Sequence, residues 1–169
     1  MRGGRNGDPM TLRFMRLAAL AAALSLPGAA LADTGGPRTD IYLKPWAQVK
    51  HRAERGDAEA QFELAYLYYA SGEDERVQGI IHSERLAARW YRKAALQGHV
   101  GARYNMAALY VNGEGVEQDA VEAYAWALLA AADGHEGAGE LVTALGRSLD
   151  PMQQDAGRRR AEALERARS

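Results

Sequence analysis

One segment of the chain occurs twice in modified form, and this repeat constrains the fold more than any other feature. Residues 56–98 and 99–134 carry alanines, aromatics, a tryptophan and a closing glycine in the same order. An offset of 42 pairs Tyr68 with Tyr110, and an offset of 36 pairs Trp90 with Trp126. The unit is therefore 36 residues long, and its first copy holds a six-residue insertion, placed within residues 72–82. Repeats of this length form arrays of stacked units.

Each unit predicts a pair of helices. The predicted helices cover residues 57–70, 83–97, 100–111 and 119–132. Ser83 and Asp119 are typical N-cap residues, and Gly98 and Gly134 are typical of the position after a helix end. The small residues at alanine positions let helices pair closely, while Trp90 and Trp126 are both predicted to lie in the core.

Outside the two units the pattern is weaker. Residues 33–45 contain several glycines and prolines and predict an extended leader, and residues 46–55 predict a short capping helix. Residues 135–169 predict a degenerate third unit that closes the array, with a last helix starting at Pro151. In that helix the residues predicted to face inward are Met152, Ala156, Ala163, Leu164 and Ala167, and those predicted to be solvated are Arg158, Arg159, Arg160 and Arg166.

The second unit carries a specific motif. It consists of Ala102, Met106, Ala107, Tyr110, Gly113, Gly115, Val116, Asp119, Ala123, Trp126, Ala130, Ala131 and Gly134. This pattern resembles the Sel1-like repeat, a relative of the tetratricopeptide repeat. The resemblance implies an all-α, right-handed α-solenoid of helix-turn-helix repeats, of the kind used mostly as protein-binding adaptors.

The first 32 residues have the order of a secretory signal peptide. Arg13 and Arg16 precede the apolar run 17–26, and an Ala-x-Ala site ends at Ala32, so cleavage is expected before Asp33. The alternatives are an uncleaved anchor and an alanine-rich helix without a targeting role. The signal predicts a bacterial protein of the periplasm, or a secreted one, with no stable membrane insertion after cleavage.

Charge and cysteine content narrow the choice of partners. Loss of residues 1–32 would remove four arginines and one aspartate and change the net charge from −1 to −4, which makes a nucleic-acid partner a poor expectation. The sequence has no cysteine, so disulfides and a lipid-modified cysteine are excluded. The expected partner is a protein or peptide.

Catalytic motifs are absent from the sequence. No serine lies in Gly-x-Ser-x-Gly or three residues before a lysine, and there is no phosphate-binding glycine loop and no His-Glu-x-x-His. The sequence therefore predicts a non-catalytic protein without a cofactor. Two alternatives stay open, namely an envelope enzyme acting on β-lactam or peptidoglycan, and a self-associating structural protein. The resemblance argues against the enzyme, because the exported family members that are associated with penicillin binding are rich in cysteine and this sequence has none.

Two histidines occupy the same position after a closing glycine. His99 follows Gly98, and His135 follows Gly134. We expect both to cap the helix that follows, and a shared metal ion is the alternative.

A set of aromatic residues is the candidate binding site. On the first helix of unit one, Phe62, Tyr66 and Tyr69 lie on a different face from the packing residues Leu64 and Tyr68. By analogy with tetratricopeptide repeats this face lines the concave groove, and Tyr104 and Val111 continue it in unit two. The alternative is that these aromatics pack against the neighbouring unit. Residues 72–82 are either a lid over the groove or a packed turn, and Arg158 to Arg160 form either a solvated face or a contact for an anionic envelope partner.

Overall fold

A computed structural model describes residues 39–71 and 82–168, and within these ranges the chain is entirely helical. The helices are α1 (Thr39–Glu54), α2 (Ala58–Ala70), α3 (Glu84–Leu96), α4 (Val100–Asn112), α5 (Ala120–Ala132), α6 (Ala138–Ser148) and α7 (Pro151–Arg166). The predicted all-α solenoid of helical repeats is confirmed. The predicted signal peptide, residues 33–38 of the predicted leader and residues 72–81 of the insertion lie outside the described residues.

The helix starts follow the capping residues in the sequence. The Asp57 side chain accepts from the backbone N–H of Ala60 at 2.9 Å, and Asp119 accepts from that of Glu122 at 3.0 Å. Ser83 caps α3 through its hydroxyl oxygen. At α7, Asp150 and Gln153 form a reciprocal capping box ahead of Pro151. These side chains satisfy amide groups that the first helical turn leaves without partners.

The two repeats also share a backbone connection between their helices. The N–H of Ser83 donates to the carbonyl of Tyr68 at 3.0 Å, and the N–H of Asp119 donates to that of Tyr110 at 3.1 Å. Both donors are N-cap residues of the second helix in a unit. Each unit is thus a helix hairpin whose two helices are joined at the turn by the same hydrogen bond.

Gly115 brings the α4–α5 turn into contact with the preceding unit. Its φ is +70°, a left-handed conformation that glycine adopts without steric cost. A Cβ at this position would lie 2.2 Å from the carbonyl oxygen of Glu84, at the start of α3. The second glycine of the Gly-x-Gly turn is therefore required both by its backbone angle and by the close approach of α3.

The helices pack in chain order around a core made largely of alanine. Each of α1 to α5 packs against its successor, and α5 additionally packs against α7. Fully buried alanines, including Ala65, Ala94 and Ala130, lie at these contacts. Short side chains let helix axes approach to about 8 to 10 Å, which is why the repeat is rich in alanine.

Trp126 and Trp90 differ although they are equivalent in the repeat. Trp126 is 1% exposed, so its predicted place in the core is confirmed. Trp90 is only partly buried, and the Lys93 ammonium lies 4.1 Å from its ring centroid. Trp90 packs against the core but keeps part of its ring exposed, so the prediction of a core position holds only in part for Trp90. The reason is position, because α5 is covered by α4, α6 and α7, whereas α3 keeps one side in solvent.

The two ends of the described chain depart from expectation. Helix α1 begins at Thr39 instead of Trp46, inside the segment predicted to be extended. Pro45 removes one amide donor from this helix, but residues 39–44 contain no glycine and continue the helix ahead of it. At the other end Met152 is 79% exposed and Ala167 is exposed, so both inward predictions are wrong. Leu164 is buried as predicted.

Candidate binding surface

Phe62, a predicted binding residue on α2, packs against α3 and the start of α4. Its ring stacks on His99 with centroids 4.3 Å apart and an interplanar angle of 17°, and it meets Tyr91 at 5.6 Å and 59°. A Cβ on Gly101 would lie 3.2 Å from the Phe62 ring, so the ring also lies against the start of α4. Phe62 joins α2, α3 and α4, which is the structural alternative to a ligand contact.

Tyr104 makes the equivalent contact one unit later. It is 7% exposed, and its ring stacks on His135 with centroids 4.2 Å apart and an interplanar angle of 10°. Burial raises the pKa of the Tyr104 hydroxyl, and the nearby Glu140 carboxylate adds to the effect. The aromatic and the histidine that the repeat pairs by position thus form one stacked pair per unit, and Tyr104 offers little surface to a ligand.

Each of the two histidines stacks on an aromatic ring, but only one of them caps a helix. Nδ1 of His99 accepts from the N–H of Ala102 at 3.1 Å, so the capping prediction is right for His99. Its Nε2 then carries the hydrogen and lies 3.1 Å from Glu59 Oε2. For His135 the prediction is wrong, because α6 starts after Gly137 and not directly after the histidine.

A buried polar contact accompanies the stack in each unit. Gln61, 4% exposed, donates to the carbonyl of Ala53 at 3.1 Å and accepts from Gln97 at 2.7 Å. In the second unit the equivalent residue is Arg103, which donates to the carbonyl of Ala95 at 3.2 Å. Each of these side chains fastens the first helix of its unit to the end of the helix before it.

Arg103 has additional partners that Gln61 lacks. It is 2% exposed, and its guanidinium reaches Asp133 Oδ2 at 2.7 Å and Glu165 Oε2 at 2.5 Å. Its partners therefore come from the ends of α3, α5 and α7. A buried guanidinium requires such satisfaction of its donors, since an unpaired buried charge is strongly destabilising. Arg103 is a structural residue that holds the last two units together.

Tyr66 and Tyr69 remain half-exposed on α2. Both lie close enough to Tyr91 to raise the pKa of its hydroxyl, a shift caused mainly by burial. The Asn105 side chain of α4 lies near the Tyr91 hydroxyl and opposes this rise in its pKa. We call Tyr66, Tyr69, Tyr91 and Asn105 the tyrosine patch. It spans both repeats and combines ring surface with polar groups.

Glu114 borders the tyrosine patch. The Tyr69 hydroxyl donates to its Oε2 at 2.7 Å, and Glu114 is 7% exposed although it is an acidic residue. This bond fixes the direction of the Tyr69 side chain, and it links α2 to the α4–α5 turn. Val111, the last predicted site residue, is half-buried near the end of α4, three residues before Glu114. The structure thus brings Tyr66 and Tyr69 together and gives Phe62 and Tyr104 a packing role.

The polar residues Gln61, Arg103, Glu114 and Glu165 are functional parts of this architecture that sequence reasoning missed. One signal was available, because the repeat offset of 42 aligns Gln61 with Arg103 at a position flanked by the packing residues of both helices. The partners of Arg103 had no such signal, since Glu165 lies in the degenerate third unit. Among the described residues, no group of three histidine or carboxylate side chains is placed to hold a metal ion.

Comparisons with known proteins agree with this geometry. The Sel1 repeat model matches residues 58–99 and 100–135. A crystal structure of a protective antigen present in uropathogenic Escherichia coli strains, which displays an SLR fold, is similar at 28% identity and a TM-score of 0.63. That match covers 79% of this chain and 26% of the antigen, so the chain spans about a quarter of its length.

A second solved structure is also similar to the chain. A Sel1 repeat protein from Oxalobacter formigenes matches at 27% identity and a TM-score of 0.38, over 59% of this chain and 98% of that one. No curated protein sequence matches the chain at a significant level. In the described part of the chain, none of the helices combines the length and apolar character needed to cross a membrane.

Proposed function

We propose that this chain, which carries two Sel1 repeats, is a non-catalytic adaptor of the bacterial cell envelope that binds a peptide or protein at the tyrosine patch. Sel1 repeats generally mediate protein–protein interactions. The envelope role is supported by the signal-like order of residues 1–32, and the absence of catalytic motifs from the sequence supports a binding role.

We choose the tyrosine patch as the binding surface because two of the predicted aromatic residues pack against histidines, whereas two others stay partly exposed. Phe62 and Tyr104 stack on histidines, whereas Tyr66 and Tyr69 are partly exposed and, like Asn105, lie near Tyr91. Tyrosine rings supply contact area at a low cost in side-chain entropy, and their hydroxyls add hydrogen bonds. An amide side chain such as that of Asn105 offers both a donor and an acceptor, which suits the backbone of an extended peptide.

Site-specific crosslinking tests this surface directly. We would replace Tyr66 with p-benzoylphenylalanine, irradiate intact cells, and identify crosslinked proteins by mass spectrometry. Met152 provides the control position, because it is 79% exposed and lies on α7, away from the patch. The proposal expects a specific adduct from position 66 that position 152 does not give. Equal adducts from both positions, or none from position 66, would contradict it.

The envelope location has its own test. If the signal is cleaved, the purified protein has an intact mass that corresponds to a chain starting at Asp33 and is recovered from the periplasm or the medium. A protein that retains residues 10–32 in the membrane fraction would contradict this part of the proposal. Turnover of a chromogenic β-lactam by the pure protein would contradict the non-catalytic part.

A further inference from the structure

The solvent-facing side of α3 carries a line of arginines. Arg85, Arg89 and Arg92 are all exposed, and their spacing of four and three residues places them on one face of the helix. The opposite face is buried and built from alanines and Tyr91. We call Arg85, Arg89 and Arg92 the arginine ridge. It is separate from the tyrosine patch, which lies on α2 and α4 together with the buried ring of Tyr91.

The ridge residues have no acidic partner, in contrast to five of the nine other arginines of the described chain. Arg52, Arg103, Arg159, Arg160 and Arg168 each form an ion pair with a carboxylate. Within residues 39–71 and 82–168, none of the three ridge guanidiniums makes such a pair. Their donors are therefore available to an outside ligand, in a protein whose net charge is −1.

The repeat shows that the charges are not a requirement of the fold. The residues of α5 that correspond to Arg85, Arg89 and Arg92 at the offset of 36 are Val121, Ala125 and Leu128. Those positions on α5 are half-buried or buried, whereas the ones on α3 face solvent. Solvent exposure explains why these positions are polar. It does not explain why all three carry a positive charge.

From this geometry we infer that the arginine ridge binds an acidic, extended segment of a protein partner. Guanidinium groups bind carboxylates in a planar, two-pronged geometry. Along α3 the successive arginines are separated by a rise of about 6 and 4.5 Å. Alternate residues of an extended peptide lie about 7 Å apart, so glutamates at every second position reach successive arginines.

The same observations disfavour other anionic ligands. Helices that bind membrane surfaces insert exposed apolar side chains beside their basic residues. In the described part of the chain the large hydrophobic residue that is exposed is Met152, and it lies on α7. Duplex nucleic acid requires a longer basic surface than the ridge provides, since the three arginines span a rise of only about 10 Å.

A labelled acidic peptide tests the inference. The probe is a fluorescein-labelled peptide of four alternating Glu-Ser pairs, and its binding to the full chain is followed by fluorescence anisotropy at low salt. We expect the triple variant Arg85→Gln, Arg89→Gln, Arg92→Gln to bind about tenfold more weakly, because three exposed ion pairs are lost. Glutamine has nearly the helix propensity of arginine, so α3 should stay intact by circular dichroism.

A second triple variant separates the ridge from net charge. Arg147→Gln, Arg158→Gln, Arg166→Gln removes three exposed arginines that also lack a carboxylate partner in the described structure, and it should keep the affinity within about twofold. An equal loss in both triple variants, or no binding by the unmodified protein, would overturn the inference. So would a ridge-dependent preference for phosphatidylglycerol vesicles over the peptide. The Tyr66→Ala, Tyr69→Ala variant should bind the acidic peptide normally, so failure here and failure of the tyrosine patch can be told apart.

Discussion

Gln61 and Arg103 are equivalent residues of successive repeats, and each donates a hydrogen bond to the backbone carbonyl eight residues before it, at 3.1 and 3.2 Å. The partner that follows is also equivalent, because Gln97 and Asp133 are related by the offset of 36. One contact has thus been built twice, first from two amides and then from an ion pair.

This equivalence gives a prediction for Arg103. In Arg103→Gln the bond to the Ala95 carbonyl can form, but Asp133 loses its cation and Glu165 keeps only the exposed pair with Arg168. We expect a loss of about 2 to 4 kcal/mol in unfolding free energy, somewhat below the cost of breaking a fully buried pair because both carboxylates are partly exposed. Adding Asp133→Gln recreates the amide pair of the first unit and should recover about 1 kcal/mol.

Urea denaturation followed by circular dichroism measures both variants. Arg159→Ala is the control, since Arg159 and Asp155 are both more than half exposed and their pair should contribute less than about 0.5 kcal/mol. If Asp133→Gln lowers the unfolding free energy further instead of raising it, the amide pair of the first unit cannot replace the ion pair of the second, and the prediction is wrong.

Glu165 predicts a pH dependence of stability. Its surroundings desolvate the carboxylate, but the hydrogen bonds and charges of Arg103 and Arg168 outweigh this and hold the pKa of Glu165 below its ordinary value of 4.5. A carboxyl whose pKa is lower in the folded state stabilises that state above its unfolded pKa, and the contribution disappears as the pH falls through the folded value. Glu165→Gln should therefore reduce stability at neutral pH and flatten its decline in acid. Urea midpoints measured from about pH 6 to pH 3 check this, and parallel profiles would contradict it.

The two repeat tryptophans should differ in their energetic weight. Trp126→Ala removes a side chain that is 1% exposed and should cost about 3 to 5 kcal/mol. Trp90→Ala removes a partly buried ring and should cost about 1 to 2 kcal/mol less, because less apolar surface leaves water there on folding. Thermal unfolding followed by circular dichroism compares the two variants. Equal losses of stability would show that the position in the repeat, and not burial, determines how much each tryptophan contributes.

Gly115 and Gly134 form a matched pair for backbone effects. Both have a left-handed φ, +70° and +80°, so alanine is strained at each by about 1 kcal/mol. At Gly134 a Cβ meets nothing within 4 Å, whereas at Gly115 it would lie 2.2 Å from the Glu84 carbonyl. Gly115→Ala should therefore destabilise the protein by several kcal/mol more than Gly134→Ala. Similar unfolding midpoints for the two variants would mean that the α4–α5 turn moves away from α3 freely.

The periodic features of the sequence predicted the fold closely. Alanine spacing, the N-caps Ser83 and Asp119 and the helix start at Pro151 predicted α2 to α5 and the start of α7 to within one or two residues. These signals are local, so they are readable without knowing the neighbours. The start of α1 at Thr39 was not predicted, because the glycines and prolines of residues 33–45 favour an extended leader.

The candidate site was less predictable, since it depends on contacts between distant residues. The periodicity placed Phe62, Tyr66 and Tyr69 on one face of α2, but it could not show that His99 covers Phe62 while Tyr66 stays half-exposed. The partner of Tyr69 is Glu114, 45 residues away in a turn, and no short-range pattern connects the two.

The most direct test of the proposed function is the affinity of the crosslinked partner for the Tyr66→Ala, Tyr69→Ala variant, measured by isothermal titration calorimetry on the full chain. We predict a loss of about 2 kcal/mol or more, roughly thirtyfold in Kd, with helical content unchanged by circular dichroism. Tyr66→Phe, Tyr69→Phe keeps the rings and should lose less. Unchanged affinity in a folded alanine variant would contradict the assignment of the tyrosine patch as the binding surface.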